Sequence, residues 1–209
     1  MQKNICKICR RLGQKLFLKG EKCFSPRCPI IKRPYPPGLQ HKKRRRSFSE
    51  YGRELREKQK LKNYYGLSEK QFRGYVEQAL KKRGQSEDAG LLLIRMLEKR
   101  LDNIVFKMGL AKSRREARQL VSHGHFLVEK KPVNIPSFGL KKDEQVSLKA
   151  TKESKVIFKN LLPVLKNYQP PTWLKVNKEK LSASIVTEPS MDDVGATIDM
   201  SSIFEFYSR

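Results

Sequence analysis

The chain has 209 residues, with 46 Lys+Arg against 21 Asp+Glu and a formal net charge of +25. That length allows one or two domains, and the imbalance opposes compaction by self-repulsion and points to a polyanionic partner. No stretch approaches the roughly 18 apolar residues of a membrane-spanning helix, and Met1-Gln2-Lys3-Asn4 leads into a cysteine pair without an apolar signal region, so a cytoplasmic protein without a membrane partner is expected.

The charge is uneven. Residues 1–60 carry 19 Lys+Arg and 4 Asp+Glu, whereas residues 181–209 carry one Arg against five acids. The first stretch should lie deepest in the polyanion. The last should face protein or pack back on the basic body.

Residues 1–45 read as a metal knot followed by a basic arm. The cysteines stand as Cys6-x-x-Cys9 and Cys23-x4-Cys28, two close pairs across a short loop, which is metal-ligand spacing. A reducing cytosol disfavours disulfides, and inert thiols have no reason to come in close pairs. Four thiolates with no spare position suit a structural zinc ion. Cys28-Pro29 echoes the end of some iron–sulfur ligand runs, so a four-iron cluster on the same residues stays open. Either gives a polar segment a reason to fold. Proline then holds Arg33 to Gly38 extended, with Tyr35 offering a face for a base. Lys42, Lys43, Arg44, Arg45 and Arg46 form an arm expected to order on RNA. A DNA-reading zinc finger would want a base-reading helix after the second cysteine pair, where this chain has proline-rich coil.

Residues 46–98 read as helical. One helix runs from Ser49 to Gly66, with a Glu54–Lys58 pair, Tyr51, Leu55, Leu61 and Tyr65 as its buried stripe, and Arg53, Arg56, Lys60 and Lys62 facing outward. Ser68 and Gln71 predict a capping box for a second helix to Arg83 that buries Phe72, Val76 and Leu80. A third starts near Ser86 and carries Leu93, Leu97, Leu101 and Ile104 through Met108.

Residues 99–165 hold the stretch the rest serves. Ser113 with Glu116 predicts a capping box in which Glu116 reaches back to the Ser113 N–H. Ala117, Leu120 and Val121 share one face, and Gly124 stops the helix. Arg114, Arg115 and Arg118 crowd its first turns, where cations sit badly against the helix dipole. An anion docked there would satisfy both the free N–H groups and the arginines. From His125 to Glu129 the pattern is that of a strand, with Val133 to Ile135 pairing back. Neither Glu129-Lys130 nor Asp143-Glu144 has the glycine of a tight primed turn, so a longer or different turn is expected. His123 and His125 suit a stacking or phosphate contact better than a metal, with a satisfied interior histidine an equal reading. A helix follows over 154–167, kinked or ended by Pro163. In residues 166–209, Trp173 should anchor core.

Particular runs resemble a known family. Arg100-Leu101-Asp102-Asn103, Ser113-Arg114-Arg115, Ala117-Arg118-Gln119-Leu120-Val121, His123-Gly124-His125 and Ile135-Pro136-Ser137 resemble the RNA-binding module named after small-subunit ribosomal protein four. Arg33-Pro34-Tyr35-Pro36-Pro37-Gly38, Leu55 to Leu61, Tyr65 to Phe72, Pro170 to Leu174 and Ile203 to Arg209 extend the likeness to the bacterial-type ribosomal protein itself, from about Cys6 to Arg209. The family has Asn-Gly where this chain has Glu129-Lys130, Gly-Asp at Asp143-Glu144, and arginines absent from Thr187 to Asp192.

The resemblance implies an α+β, mainly α protein: a metal-knotted helical N-terminal domain, an inserted module of two helices and a small antiparallel sheet, and a C-terminal tail returning to the first domain. It further implies a structural constituent of the small ribosomal subunit, with no enzymatic activity and no small-molecule substrate. It would grip a helix junction in the 5′ domain of 16S-type rRNA early in assembly and contact ribosomal protein five near the mRNA entrance, where accuracy is set. Phosphate contacts are expected from Arg114, Arg115, Arg118, Lys58, Lys60 and the Lys42–Arg46 arm, and stacking from Tyr35, Tyr51 and His123. The alternative is an RNA-modifying or RNA-regulatory protein using the same module. An enzyme of that kind would need a further domain of roughly a hundred residues.

Overall fold

A computed structural model describes residues 5–38, 47–82, 88–153, 158, 165, 168–195 and 198–208. The arm Lys42, Lys43, Arg44, Arg45 and Arg46, the helix limits at Arg83 and Ser86, Pro163 and Arg209 lie outside the described residues, as does most of the helix expected over 154–167. The chain divides into two compact units, Met1–Gly90 with Ala196–Arg209, and Leu91–Gly195.

In the first unit, α1 (Cys6–Leu12), α2 (Glu21–Phe24) and α3 (Pro29–Lys32) are too short to stand alone. Arg10 ties down the proline-rich segment after them, its Nε donating to the Tyr35 carbonyl at 3.0 Å and the Arg33 carbonyl at 3.1 Å. Helix α4 (Glu50–Tyr64) starts where Ser49 Oγ accepts the Gly52 N–H at 3.2 Å. Its buried face differs from the predicted stripe. Leu61 and Tyr65 are buried, but Tyr51 is half exposed and Leu55 half-buried, while Glu54, Lys58 and Lys60 turn inward.

Lys58 does not pair with Glu54. It reaches Glu69 at 2.7 Å, at the start of α5 (Glu69–Lys81), where Lys62 joins at 2.8 Å and the Tyr207 hydroxyl donates at 2.8 Å. A network shared among three donors outweighs a single pair along one helix. The Ser68–Gln71 capping box is present in both directions. Helix α5 buries Phe72, Val76 and Ala79, with Leu80 only half-buried. The C-terminal helix Met200–Ser208, capped by Asp199, lies on α4 and α5 through Ile203, Phe206 and Tyr207.

In the second unit, the single helix expected through Met108 is two: α6 (Ala89–Glu98) and α7 (Leu101–Lys107). The break is at Arg100, whose ψ of 138° is extended. There the Leu101 and Asp102 N–H groups donate to the Phe138 carbonyl at 2.8 Å and the Pro136 carbonyl at 3.1 Å, so outside acceptors take the first-turn donors of α7. Leu93, Leu97, Leu101, Ile104 and Met108 are buried across the break. Gly109 then turns the chain with φ +81°, and a Cβ there would lie 2.9 Å from Leu165 Cδ2 and 3.0 Å from the Tyr168 ring. A side chain at 109 would thus meet both a left-handed backbone and the Leu165 and Tyr168 side chains, and beyond this turn α8 (Arg114–Ser122) packs on α7.

Five antiparallel strands complete the unit: β1 (Phe126–Val128), β2 (Lys131–Val133), β3 (Gln145–Leu148), β4 (Leu174–Asn177) and β5 (Ser182–Ile185), with α9 (Ala150–Glu153) after β3. Their order across the sheet is β2-β1-β3-β5-β4. The longer turn expected at Glu129-Lys130 is not there. Val128 pairs with Lys131, leaving a two-residue turn in which Glu129 and Lys130 adopt φ +47° and +65°. Asp143 likewise takes φ +67°. The sheet register holds these side chains in a backbone conformation that glycine adopts more readily. Helices and sheet meet in one core around Ala117, Leu120, Val121, Phe126, Val146 and Trp173.

Candidate nucleic-acid interface

The interface is built on α7 and α8. Ser113 has extended backbone, and its Oγ accepts the Glu116 N–H at 3.3 Å. The return arm differs from the expected box, because Glu116 Oε2 accepts from Lys112 N at 2.7 Å and not from Ser113 N. With Ala117, Leu120 and Val121 packed inward, the arginines of the first turns come out on the remaining faces.

Those arginines meet the protein's own acceptors. Arg118 donates to Asp102 Oδ2 through Nη2 at 2.7 Å and Nε at 3.0 Å. Arg114 Nε donates to Asn103 Oδ1 at 2.8 Å, and its guanidinium lies 4.7 Å from the Phe106 ring centre. Arg115 is exposed. Asp102 is shared, since Arg100, itself buried, holds the same carboxylate at 2.9 Å. One carboxylate serves two guanidiniums. The first turns of α8 thus find part of the anion their dipole and arginines call for within the protein, on α7.

Further cations on this unit are among the residues sequence reasoning missed: Lys130 and Lys131 at the β1–β2 turn, and Lys141 and Lys142 before β3, all exposed. The signal was present as lysine pairs flanking short strands. His123 is exposed, its ring centre 6.1 Å from that of His125, which is buried and lies 5.8 Å from Phe158.

In the first unit the structure places the predicted cations differently. Lys58 is buried, with Nζ 4.3 Å from the Phe206 ring centre as well as on Glu69. Burial alone would raise the Glu69 carboxyl, but hydrogen bonds from Lys58, Lys62 and Tyr207 outweigh it and bring it down to about 2. Lys60 is also buried, 3.2 Å from Glu57. Arg56 donates to the Leu12 carbonyl and lies 4.9 Å from the Phe48 ring centre. Tyr35 carries the Arg10 guanidinium 4.9 Å from its ring centre, and Tyr51 leans on Phe206 at 5.5 Å.

Cys6, Cys9, Cys23 and Cys28 line one small cavity with Leu18 and Ile30, all four as free thiols. The Cys23 sulfur accepts the Lys19 N–H at 3.3 Å. Burial pushes the Cys9 and Cys23 thiols up against the backbone hydrogen bonds from Leu16 and Lys19 that oppose it, and the charges of Cys6 and Cys28 would push both further. Among the described residues no three His, Cys, Asp or Glu side chains are grouped so as to hold an ion as placed. The four cysteines nevertheless line the same cavity, and thiols are the donor type that suits a thiophilic cation.

Comparison with known proteins defines the class first. Residues 99–146 match the S4 domain, an RNA-binding module, and residues 1–98 match the ribosomal protein S4/S9 N-terminal domain. Along the whole chain, small ribosomal subunit protein uS4 of Kosmotoga olearia is 44% identical over 205 residues, covering 98% of this chain and 97% of that one. The uS4 proteins of Acetivibrio thermocellus (45% over 204 residues; 98% and 96% covered) and Thermus thermophilus (40% over 205 residues; 98% and 97% covered) are similarly close. The chain belongs to the uS4 family of small ribosomal subunit proteins. No described helix is long and apolar enough to cross a membrane.

Proposed function

We propose that this chain is a structural, non-enzymatic protein of the small ribosomal subunit, acting in the cytoplasm. It binds 16S-type rRNA at a helix junction in the 5′ domain, nucleates assembly, and contributes to accuracy with ribosomal protein five near the mRNA entrance. The observation that carries this reading is family membership across 98% of the chain, joined to exposed cations on an S4 domain, among them Arg115, Lys130, Lys131, Lys141 and Lys142. A-form grooves hide base sequence from side chains, so shape and phosphate contacts select the junction.

Arg115 and the Lys42–Arg46 arm meet phosphates, with Arg114 and Arg118 oriented for the same task by Asn103 and Asp102. Tyr35, Tyr51 and His123 contribute ribose or base contacts. Lys58 and Lys60 act through the packing of α4 and reach phosphate only if their carboxylate partners yield. Cys6, Cys9, Cys23 and Cys28 hold a structural zinc ion that braces residues 5–38; it supplies folding energy and no chemistry. A four-iron cluster is the other occupant of the same sulfurs, and metal analysis of purified protein separates the two.

The likeness to ribosomal proteins runs through both units, so these 209 residues hold no spare span for the catalytic domain that an RNA-modifying enzyme would add. Chemical footprinting of small-subunit rRNA with the purified protein tests the proposal. Protection clustered at one junction of the 5′ domain is expected; uniform or absent protection would overturn it.

A further inference from the structure

Between α1 and α2 the chain alternates: Leu16 is buried, Phe17 points outward, and Leu18 lines the cysteine cavity. Phe17 adopts φ +50°, a left-handed conformation that is unusual for an aromatic residue and persists only where its surroundings enforce it. The result is a ring stacked on that of Phe24, with centres 5.0 Å apart and planes 29° from parallel. Phe24 follows Cys23 directly and is 74% exposed, the highest value among the exposed large hydrophobic side chains. Single apolar side chains on a surface need no explanation. A strained, pre-stacked pair fixed beside the cysteine cavity does.

The surroundings indicate what it receives. Lys19, Lys22 and Arg27 are exposed and stand within three residues of Phe17 or Phe24 along the chain, and residues 5–38 hold nine Lys+Arg against Glu21 alone. A nucleotide supplies both complements at once, a π face for the rings and phosphates for the cations. An apolar protein partner would leave those cations facing nothing. Tyr35, Phe48 and Tyr51 each have one side chain of the protein against the ring (Arg10, Arg56 and Phe206), and Phe24 is more exposed than Phe48 or Tyr51.

We propose that Phe17 and Phe24 form a stacking platform for an unpaired base of the RNA, with Lys19, Lys22 and Arg27 meeting its flanking phosphates. This rests on the rRNA-binding reading above and adds a site to it. Phe17 stacks on Phe24, and the Lys19 N–H on the Cys23 sulfur ties the loop that carries Phe17 to the helix that carries Phe24.

The test uses the full-length chain and transcribed small-subunit rRNA. Phe24→Ala and Phe24→Leu should each weaken binding about tenfold while leaving its salt dependence unchanged, because stacking releases no counterions. Phe24→Tyr should bind as wild type. In Phe24→Trp, the fluorescence added to that of buried Trp173 should be quenched as rRNA is titrated. If wild type binds and Phe24→Ala binds equally, the platform is overturned while the rRNA reading stands. It is overturned too if Phe24→Ala binds rRNA normally but fails to join assembled subunits, since the pair would then serve a protein. If wild type itself fails to bind rRNA, the reading falls and takes the platform with it.

Discussion

The Asp102 carboxylate and the Arg118 guanidinium meet at 2.7 Å across the turn between α7 and α8. The same carboxylate neutralises Arg100, which is 2% exposed, whereas the Arg118 side chain is 32% exposed. Asp102 thus has two tasks: it satisfies a buried cation and aims a surface one.

The two partners should therefore fail differently. Asp102→Asn removes the charge that faces buried Arg100 at 2.9 Å, and is expected to destabilise the second unit by about 3–5 kcal/mol. Arg118→Gln removes only the outer partner and should cost about 1 kcal/mol or less in stability while weakening rRNA binding. Thermal melts and filter binding of both variants check this. Equal loss of stability from the two would mean that Asp102 does not divide its work in this way.

Arg115 gives the cleaner electrostatic test, because it is exposed. Arg115→Ala should leave the melting temperature unchanged and reduce the slope of log K against log salt by about 0.7–0.9, the counterion release of one phosphate contact. An unchanged slope would remove Arg115 from the interface.

Glu69 sets a pH dependence of known sign. Its carboxyl is held at about 2 against an ordinary 4.5, by hydrogen bonds that outweigh its burial. A carboxyl depressed by folding contributes its full stabilisation above the unfolded value and loses it as pH falls toward the folded one. Acid should therefore loosen the Lys58–Glu69–Tyr207 network between about pH 4.5 and 2. Glu69→Gln should flatten the stability profile in that window and cost about 1 kcal/mol at neutral pH, a small figure because the Glu69 side chain is 46% exposed. Urea titrations of both proteins at several pH values measure the difference.

Helix starts were legible because their chemistry is local: Ser49, Ser68 and Ser113 each cap with their own side chain. The inward face of α8 was legible for the same reason, since its period survives in any packing. What sequence hid was set by distant partners. Nothing near Arg100 says that the Pro136 and Phe138 carbonyls will take the N–H groups of α7 and break the helix. The pattern of α4 looked ordinary, yet Glu69 and the C-terminal helix draw Lys58 inward. Strands β4 and β5, four residues each and containing Lys, Asn and Ser, gain their identity only by pairing with each other and with β3.

The β1–β2 turn shows a distant constraint overriding local preference. Lys130 sits at φ +65° because its neighbours Val128 and Lys131 are paired in register, not because lysine favours that conformation. Lys130→Gly should then stabilise the second unit by about 0.5–1 kcal/mol, with relief of the left-handed backbone partly offset by glycine's greater unfolded-state freedom. Glu129 is better left alone, since its Oε1 accepts the Gln145 N–H at 2.6 Å and ties the turn to β3. A lower melting temperature for Lys130→Gly would show that the turn carries no strain.

The cysteine cavity supplies the last test, and the two-unit organisation makes it selective. Residues 5–38 contain three short helices and little apolar core beyond Cys9, Leu12, Leu16, Cys23 and Cys28. A segment so small is expected to depend on a bound ion for its fold. The core around Trp173 and Phe126 belongs wholly to the other unit and contains no cysteine. Cys9→Ser, or removal of zinc by a chelator, should therefore raise amide exchange across residues 5–38 while leaving 100–150 protected. Simultaneous loss of both would show that the units do not fold separately. Unchanged exchange in both would show that the four sulfurs hold no stabilising metal.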